Sequence, residues 1–233
     1  MTTISSNLQA VNARIAAACV VAGRDPATVR LLAVTKTWPA PCVRAAATAG
    51  QRAFGESYVQ EALPKQVALA DLDLEWHFIG PLQSNKTRPV AEHFAWAHSV
   101  ERLKIAERLS GQRPPHLPPL NVCVQVNVSG EASKSGCALA EAPALCHALA
   151  ALPGLRLRGL MAIPEPTVDS ALADLLTRRR FALVRELRES LRADGLLLDT
   201  LSMGMSHDLE AAIMEGATIV RVGTAIFGER PAT

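Results

Sequence analysis

The chain has 233 residues, of which 49% are apolar and 20% charged, with a formal net charge of +2. That length suits one large domain or two small ones, and the ordinary charge balance excludes a disordered chain or a nucleic-acid coat. Five cysteines without a C-x-x-C pair argue against a disulfide framework or a zinc cluster, and the closest histidines, His93 and His98, lie five apart, the wrong spacing for a helical metal site.

The first ten residues are polar, and the apolar stretch 15–22 that follows is too short to span a bilayer. No export signal is read there, so the cytoplasm is the expected address, with no membrane or nucleic-acid partner. A helix over 6–22 precedes the first strand, 31–35. Helix and strand then alternate: helix 40–49, strand 53–55, helix 59–70, strand 76–79, helix 85–93, strand 94–98, helix 101–110. The proline-rich stretch 113–119 cannot continue a helix and reads as a stiff surface loop. Strand 122–128, helix 139–152, strand 155–161, helix 171–193, strand 196–202, helix 206–215 and strand 218–222 complete the series. Arg178, Arg179 and Arg180 open a run of mixed charge at helical spacing, a solvated helix face. Eight strand candidates alternating with helices predict parallel strands in a single α/β (β/α)₈ TIM barrel domain over 1–233, rather than an open doubly wound sheet.

Chemistry in such a barrel sits at the carboxyl ends of the strands. Lys36 follows the first strand, and period-two alternation puts it on the face of Leu32 and Val34. A desolvated lysine there would lose its charge, and only the free amine attacks a carbonyl; a snorkelling strand-end lysine is the plainer alternative. The second strand ends in Gly55, Glu56 and Ser57, the sixth near Met161 and the seventh in Ser202. Phosphate in this architecture is often held by the loops after the last two strands. Those loops read Ser202-Met203-Gly204-Met205-Ser206 and Gly223-Thr224-Ala225-Ile226-Phe227-Gly228, with glycine for close approach and hydroxyl donors. Ser206 also reads as a helix N-cap. Arg221, two residues before Gly223, points into the barrel mouth and needs an acceptor, either a carboxylate in a structural salt bridge or a ligand ring nitrogen. A lysine on the first strand, an arginine on the eighth and a phosphate cradle beside it describe pyridoxal 5′-phosphate in a barrel.

The segments Ala33-Val34-Thr35-Lys36-Thr37, Phe54-Gly55-Glu56-Ser57-Tyr58-Val59-Gln60-Glu61, Trp76-His77-Phe78-Ile79-Gly80-Pro81-Leu82-Gln83-Ser84-Asn85-Lys86, Arg158-Gly159-Leu160-Met161-Ala162-Ile163-Pro164, Leu201-Ser202-Met203-Gly204-Met205-Ser206 and Arg221-Val222-Gly223-Thr224-Ala225-Ile226-Phe227-Gly228 closely resemble the YggS/PROSC family of pyridoxal phosphate homeostasis proteins. The resemblance spans nearly the whole chain. It implies a barrel like the N-terminal domain of alanine racemase, a fold type III pyridoxal-phosphate protein, with the cofactor as an aldimine on Lys36. It implies phosphate contacts from the Ser202 to Ser206 loop and from Gly223 and Thr224, with Ser57, Met161 and Met203 among the cofactor-binding residues and Arg221 beside the pyridine nitrogen. The family usually has asparagine where this chain has Ser57, so a cofactor contact from that position would come from a hydroxyl in place of an amide.

Arginine can donate to the ring nitrogen but cannot give it a proton, which leaves the ring a weak electron sink. Racemisation would also need an acid and a base on opposite faces of the substrate carbon. The tyrosine that alanine racemase supplies for this from a further domain has no counterpart beyond Tyr58. The expected function is therefore cofactor binding, buffering and delivery to apo pyridoxal-phosphate enzymes by a monomer, with no established catalytic residue and no metal. A low-activity amino-acid racemase or transaminase is the alternative, and a cofactor-free sugar-phosphate isomerase or aldolase acting through Lys36 is the third reading. Lys134, in the small polar loop Ser129-Gly130-Glu131-Ala132-Ser133-Lys134-Ser135-Gly136, is a candidate second amine for capturing the departing aldehyde, against the plain reading of a solvated loop lysine.

Overall fold

The computed structural model describes residues 3–129, 135–165 and 173–229. Helix α1 (Ile4–Val21) opens with a reciprocal cap between Thr3 and Ser6, which satisfies two otherwise orphaned backbone donors. The chain then runs through β1 (Arg30–Val34), α2 (Ala40–Thr48), β2 (Ala53–Glu56), α3 (Val59–Ala68), β3 (Glu75–Phe78), α4 (Thr87–His93), β4 (Trp96–Val100) and α5 (Leu103–Gln112). It continues as β5 (Leu120–Asn127), β6 (Cys137–Ala138), α6 (Ala142–Ala150), β7 (Leu155–Met161), α7 (Ala173–Ala193), β8 (Thr200–Ser202), α8 (Leu209–Met214), β9 (Ile219–Val222) and α9 (Thr224–Phe227).

Neighbouring strands pair in parallel, and the β4–β5 and β1–β9 pairings close them into an eight-stranded barrel; β6 hangs on β5 outside the ring. The expected (β/α)₈ architecture is therefore present. Alternation along each strand builds two apolar layers. Outward residues such as Leu31, Ala33, Phe54, Phe78 and Val220 pack under the helices in the main core, while Leu32, Ala53, Trp96, Cys123, Met161 and Ile219 form a smaller cluster inside the ring. The rest of the interior is polar, with His77, His98, Ser202 and Arg221 all 4% exposed or less.

Most element boundaries shift from the sequence expectation by one to four residues, and four of the differences have a readable local cause. β1 stops at Val34, although the Thr35 amide still donates to Gly55 at 3.0 Å. β4 starts two residues late because Phe94 caps α4. β8 is confined to its last three residues: Gly195 takes a φ of +93° and Leu197 stands 93% exposed, so the chain leaves α7 through an open loop before it can pair. The two residues of β6 and the four of α9 are too short for periodicity to mark. Among the described residues, no helix is long and apolar enough to cross a membrane and no metal-ligand cluster occurs.

Gly159 marks the closest approach of β7 to β8, since a side chain there would run into the Thr200 carbonyl. Gly159→Ala should lower unfolding stability by about 1–3 kcal/mol through overpacking against backbone, read as a shift of the urea midpoint at constant m-value.

Candidate functional site

At the carboxyl end of the barrel a cavity of about 200 Å³ is lined by Lys36, Ser57, Arg221, Gly223 and Thr224 together with the loop residues Met205 and Ser206. It has room for a ligand smaller than a drug-sized molecule. Strand closure explains the grouping: β1 and β9 are neighbours, with Leu32 opposite Arg221 and Ala33 opposite Val222. Residues from the two ends of the chain thus meet at one rim.

Lys36 stands just beyond β1, in a turn held from three sides. The Thr35 carbonyl accepts the Trp38 amide at 3.0 Å, so Lys36 occupies the second position of a four-residue turn. Thr37 at the third position has a φ of +70°, and it is the one non-glycine residue with positive φ among the described residues. That conformation is strained for a β-branched residue and needs its surroundings to hold it. Glu61 accepts the Thr37 amide at 2.8 Å, while Lys65 Nζ donates to the Thr35 carbonyl at 2.8 Å and to Glu56 Oε1 at 2.7 Å. The Thr35 hydroxyl donates to the same carboxyl oxygen at 2.7 Å. Burial pushes the Glu56 carboxyl above its ordinary value, opposed by Lys65 and the Thr35 hydroxyl. Glu56 and Lys65 therefore hold the backbone of the turn that carries Lys36; Glu56 is among the strand-two end residues read from sequence, whereas Lys65 on α3 is not.

Across the cavity, Arg221 is 4% exposed, and burial pushes its guanidinium down to about 10, so it stays charged near neutrality. Its acceptors are neutral. Nη1 donates to the Ser202 carbonyl at 2.5 Å and hydroxyl at 2.8 Å, and Nη2 to the Ala162 carbonyl at 2.9 Å. The salt bridge weighed for it from sequence is absent among the described residues. Gly223 precedes α9, whose first turn has no side-chain cap. Its leading N–H groups are thus available to an anion. Gly223 also sits against Val34, where a Cβ would come within 3.2 Å of the Val34 carbonyl.

Three expected contact residues do not line the cavity. Met161 belongs to the interior cluster below it. The Ser202 hydroxyl is fully buried and committed to Arg221 and His98. Met203 follows Ser202 directly, so alternation turns its side chain outward into the main core, and its amide is already used by the Ile219 carbonyl at 3.1 Å. Lys134 lies outside the described residues. Conversely, Trp38, Ile79, Ile163, His207 and Gly228 line the cavity without having been singled out; several fall in the quoted motifs, but only the closed ring brings them together.

A model of the family described as alanine racemase, N-terminal domain, matches residues 6–231. Over 230 residues the chain is 66% identical to the pyridoxal phosphate homeostasis protein of Pseudomonas aeruginosa, covering 99% of this chain and 97% of that protein. The chain belongs to the pyridoxal phosphate homeostasis protein family. The family member from Escherichia coli strain K12 is 52% identical, with 99% of this chain and 98% of that protein covered. Among solved structures, PipY of Synechococcus elongatus PCC7942 with PLP bound matches at a TM-score of 0.82 and 38% identity, covering 97% of this chain and all of that one. The alanine racemase of Corynebacterium glutamicum shares the fold, at a TM-score of 0.68 and 18% identity, with 99% of this chain laid over 62% of the enzyme.

The turn that carries Lys36 rests on a buried ion pair, which gives a direct test. Lys65→Met strands Glu56 in the core and should lower stability by about 3 kcal/mol at neutral pH. The deficit should shrink on acidification as Glu56 takes up a proton, and Glu56→Gln in the same chain should recover part of it; thermal melts across pH measure both.

Proposed function

We propose that this chain binds pyridoxal 5′-phosphate reversibly, as a Schiff base on Lys36, and serves to buffer the cofactor and pass it to apo enzymes in the cytoplasm. The observation that carries this reading is the convergence on one small cavity of an amine, a buried guanidinium and an uncapped helix start. These three groups match an aldehyde, a ring nitrogen and a phosphate, so the residues fit the cofactor. Pyridoxal phosphate supplies an aldehyde that amines capture and an aromatic ring that can accept electrons. Lys36 supplies the amine. Thr224, Ser206 and the amides at the start of α9 would hold the phosphate, and Arg221 would donate to the ring nitrogen.

Binding without efficient turnover is supported by the same groups. A guanidinium donates a hydrogen bond but yields no proton at neutral pH, which keeps the ring a weak electron sink. Tyr58 is half exposed and does not line the cavity, so it is not placed to act as an acid or base opposite Lys36.

Lys36→Ala should abolish the yellow absorption of the loaded protein, and borohydride treatment of the parent followed by peptide mapping should fix the cofactor on Lys36; a main adduct on another lysine would refute the assignment. Thr224→Val removes one hydroxyl donor to a charged acceptor, a loss of about 1.5–3 kcal/mol, or roughly ten- to hundredfold in Kd. Titration calorimetry should show that loss for pyridoxal phosphate and little change for pyridoxal. Equal weakening of both would place Thr224 away from the phosphate.

A further inference from the structure

An unbroken line of hydrogen bonds runs through the barrel from its floor to Arg221. At the floor, Glu75 Oε1 lies 2.6 Å from Arg30 Nη1 and 2.5 Å from His77 Nε2. His77 Nδ1 is 2.9 Å from His98 Nε2, and His98 Nδ1 is 2.8 Å from the Ser202 hydroxyl, which lies 2.8 Å from Arg221 Nη1. Both imidazoles are fully buried, whereas the Glu75 and Arg30 side chains are 34% and 43% exposed. The line therefore joins solvent at one end of the barrel to the cavity at the other. The His77 ring stacks on Trp96 with centroids 5.3 Å apart and planes 6° off parallel, and Arg158 covers Trp96 at 4.8 Å.

With both imidazoles neutral, one arrangement of protons satisfies every link. Burial acts to raise the Glu75 carboxyl, but His77 and Arg30 hold it below its ordinary value, so it is a carboxylate and only accepts. His77 Nε2 must then carry a proton. Burial disfavours the charged form of His77, so its Nδ1 is bare and accepts from His98 Nε2. Burial, reinforced by His77 and Arg221, does the same to His98, whose Nδ1 accepts the Ser202 proton. That leaves the Ser202 oxygen a lone pair for Arg221. Every donor points from the guanidinium towards the carboxylate, so the links polarise one another in one sense.

We propose that Glu75, His77, His98 and Ser202 are positioning residues for Arg221, a one-way chain that pins Nη1 and leaves donors on Nε and Nη2 turned to the ring nitrogen of a bound pyridine. With Nη1 held by Ser202 and one Nη2 hydrogen by Ala162, the Nε hydrogen and the second Nη2 hydrogen have no partner among the described residues. The inference rests on the reading that the cavity takes pyridoxal phosphate, and it adds residues on β3 and β4 that do not line the cavity.

Two measurements test it. Long-range proton–nitrogen spectra of histidine-labelled protein without ligand should show both His77 and His98 as neutral Nε2–H tautomers; an Nδ1–H tautomer at either would overturn the chain. In the second, His98→Leu, which breaks the line, should weaken pyridoxal phosphate binding roughly tenfold or more, the scale of one lost charged hydrogen bond, and shift the absorption maximum of the bound cofactor. His98→Gln, which offers one acceptor and one donor, should restore much of both. Glu75→Gln at the accessible floor should shift the maximum in a protein that folds as the parent does. An analogue with C–H in place of the ring nitrogen should bind parent and variants alike. Equal losses for pyridoxal phosphate and the analogue, or an unmoved spectrum in Glu75→Gln and His98→Leu, would overturn the positioning role. Failure of the parent to bind pyridoxal phosphate at all would instead overturn the underlying reading.

Discussion

Burying a charge without a counter-charge is the constraint on which this barrel is built. A guanidinium removed from water costs several kcal/mol unless its donors are satisfied, and three of the five N–H donors of Arg221 are met by two carbonyls and a hydroxyl from neighbouring segments. Those acceptors exist only if β7, β8 and β9 keep their registers, with Met161 beside Ser202 and Ser202 beside Ile219. Gly159 allows β7 and β8 to approach closely enough for this, because any side chain there would meet backbone. The polar interior is thus a structural commitment of the sheet as well as a feature of the site.

The other rim of the cavity is built on the same logic from different groups. The strained turn carrying Lys36 is held by Glu61 on the Thr37 amide and by Lys65 on the Thr35 carbonyl. Lys65 is itself balanced by Glu56, and both are buried behind the turn rather than inside the barrel. A long, entropically costly lysine is more useful as a nucleophile if its backbone is fixed, since less freedom is lost on reaction. The arrangement fixes the backbone on both sides of Lys36 with charge-assisted hydrogen bonds, the strong kind.

On the proposed reading, the two rims together suit capture of the cofactor. One presents an amine and the other a permanent donor to the ring, and both are anchored from outside the cavity. An efficient racemase needs a second proton-transfer group across the substrate carbon, and the chain's single tyrosine, Tyr58, is half exposed and does not line the cavity. The 62% coverage of the Corynebacterium alanine racemase shows the same fold in a longer enzyme.

Sequence by itself determined the barrel, Lys36 and the rim residues Gly223 and Thr224, because period-two and helical patterns depend only on the local chain. Parity along β1 placed Lys36 on the face of Leu32 and Val34, and it lines the cavity even though the strand stops short. The same parity applied to consecutive Ser202 and Met203 would have sent one of them outward, as the structure does. What tertiary structure alone decided are the links between strands. Two histidines on β3 and β4 are unremarkable in sequence, and nothing in their spacing of 21 residues announces a bond to each other or, 104 residues further, to Ser202. Lys65 on α3 gives no local sign that it will meet the Thr35 carbonyl, 30 residues earlier. Such contacts depend on ring closure and register, which are properties of the assembled sheet and not of any one segment.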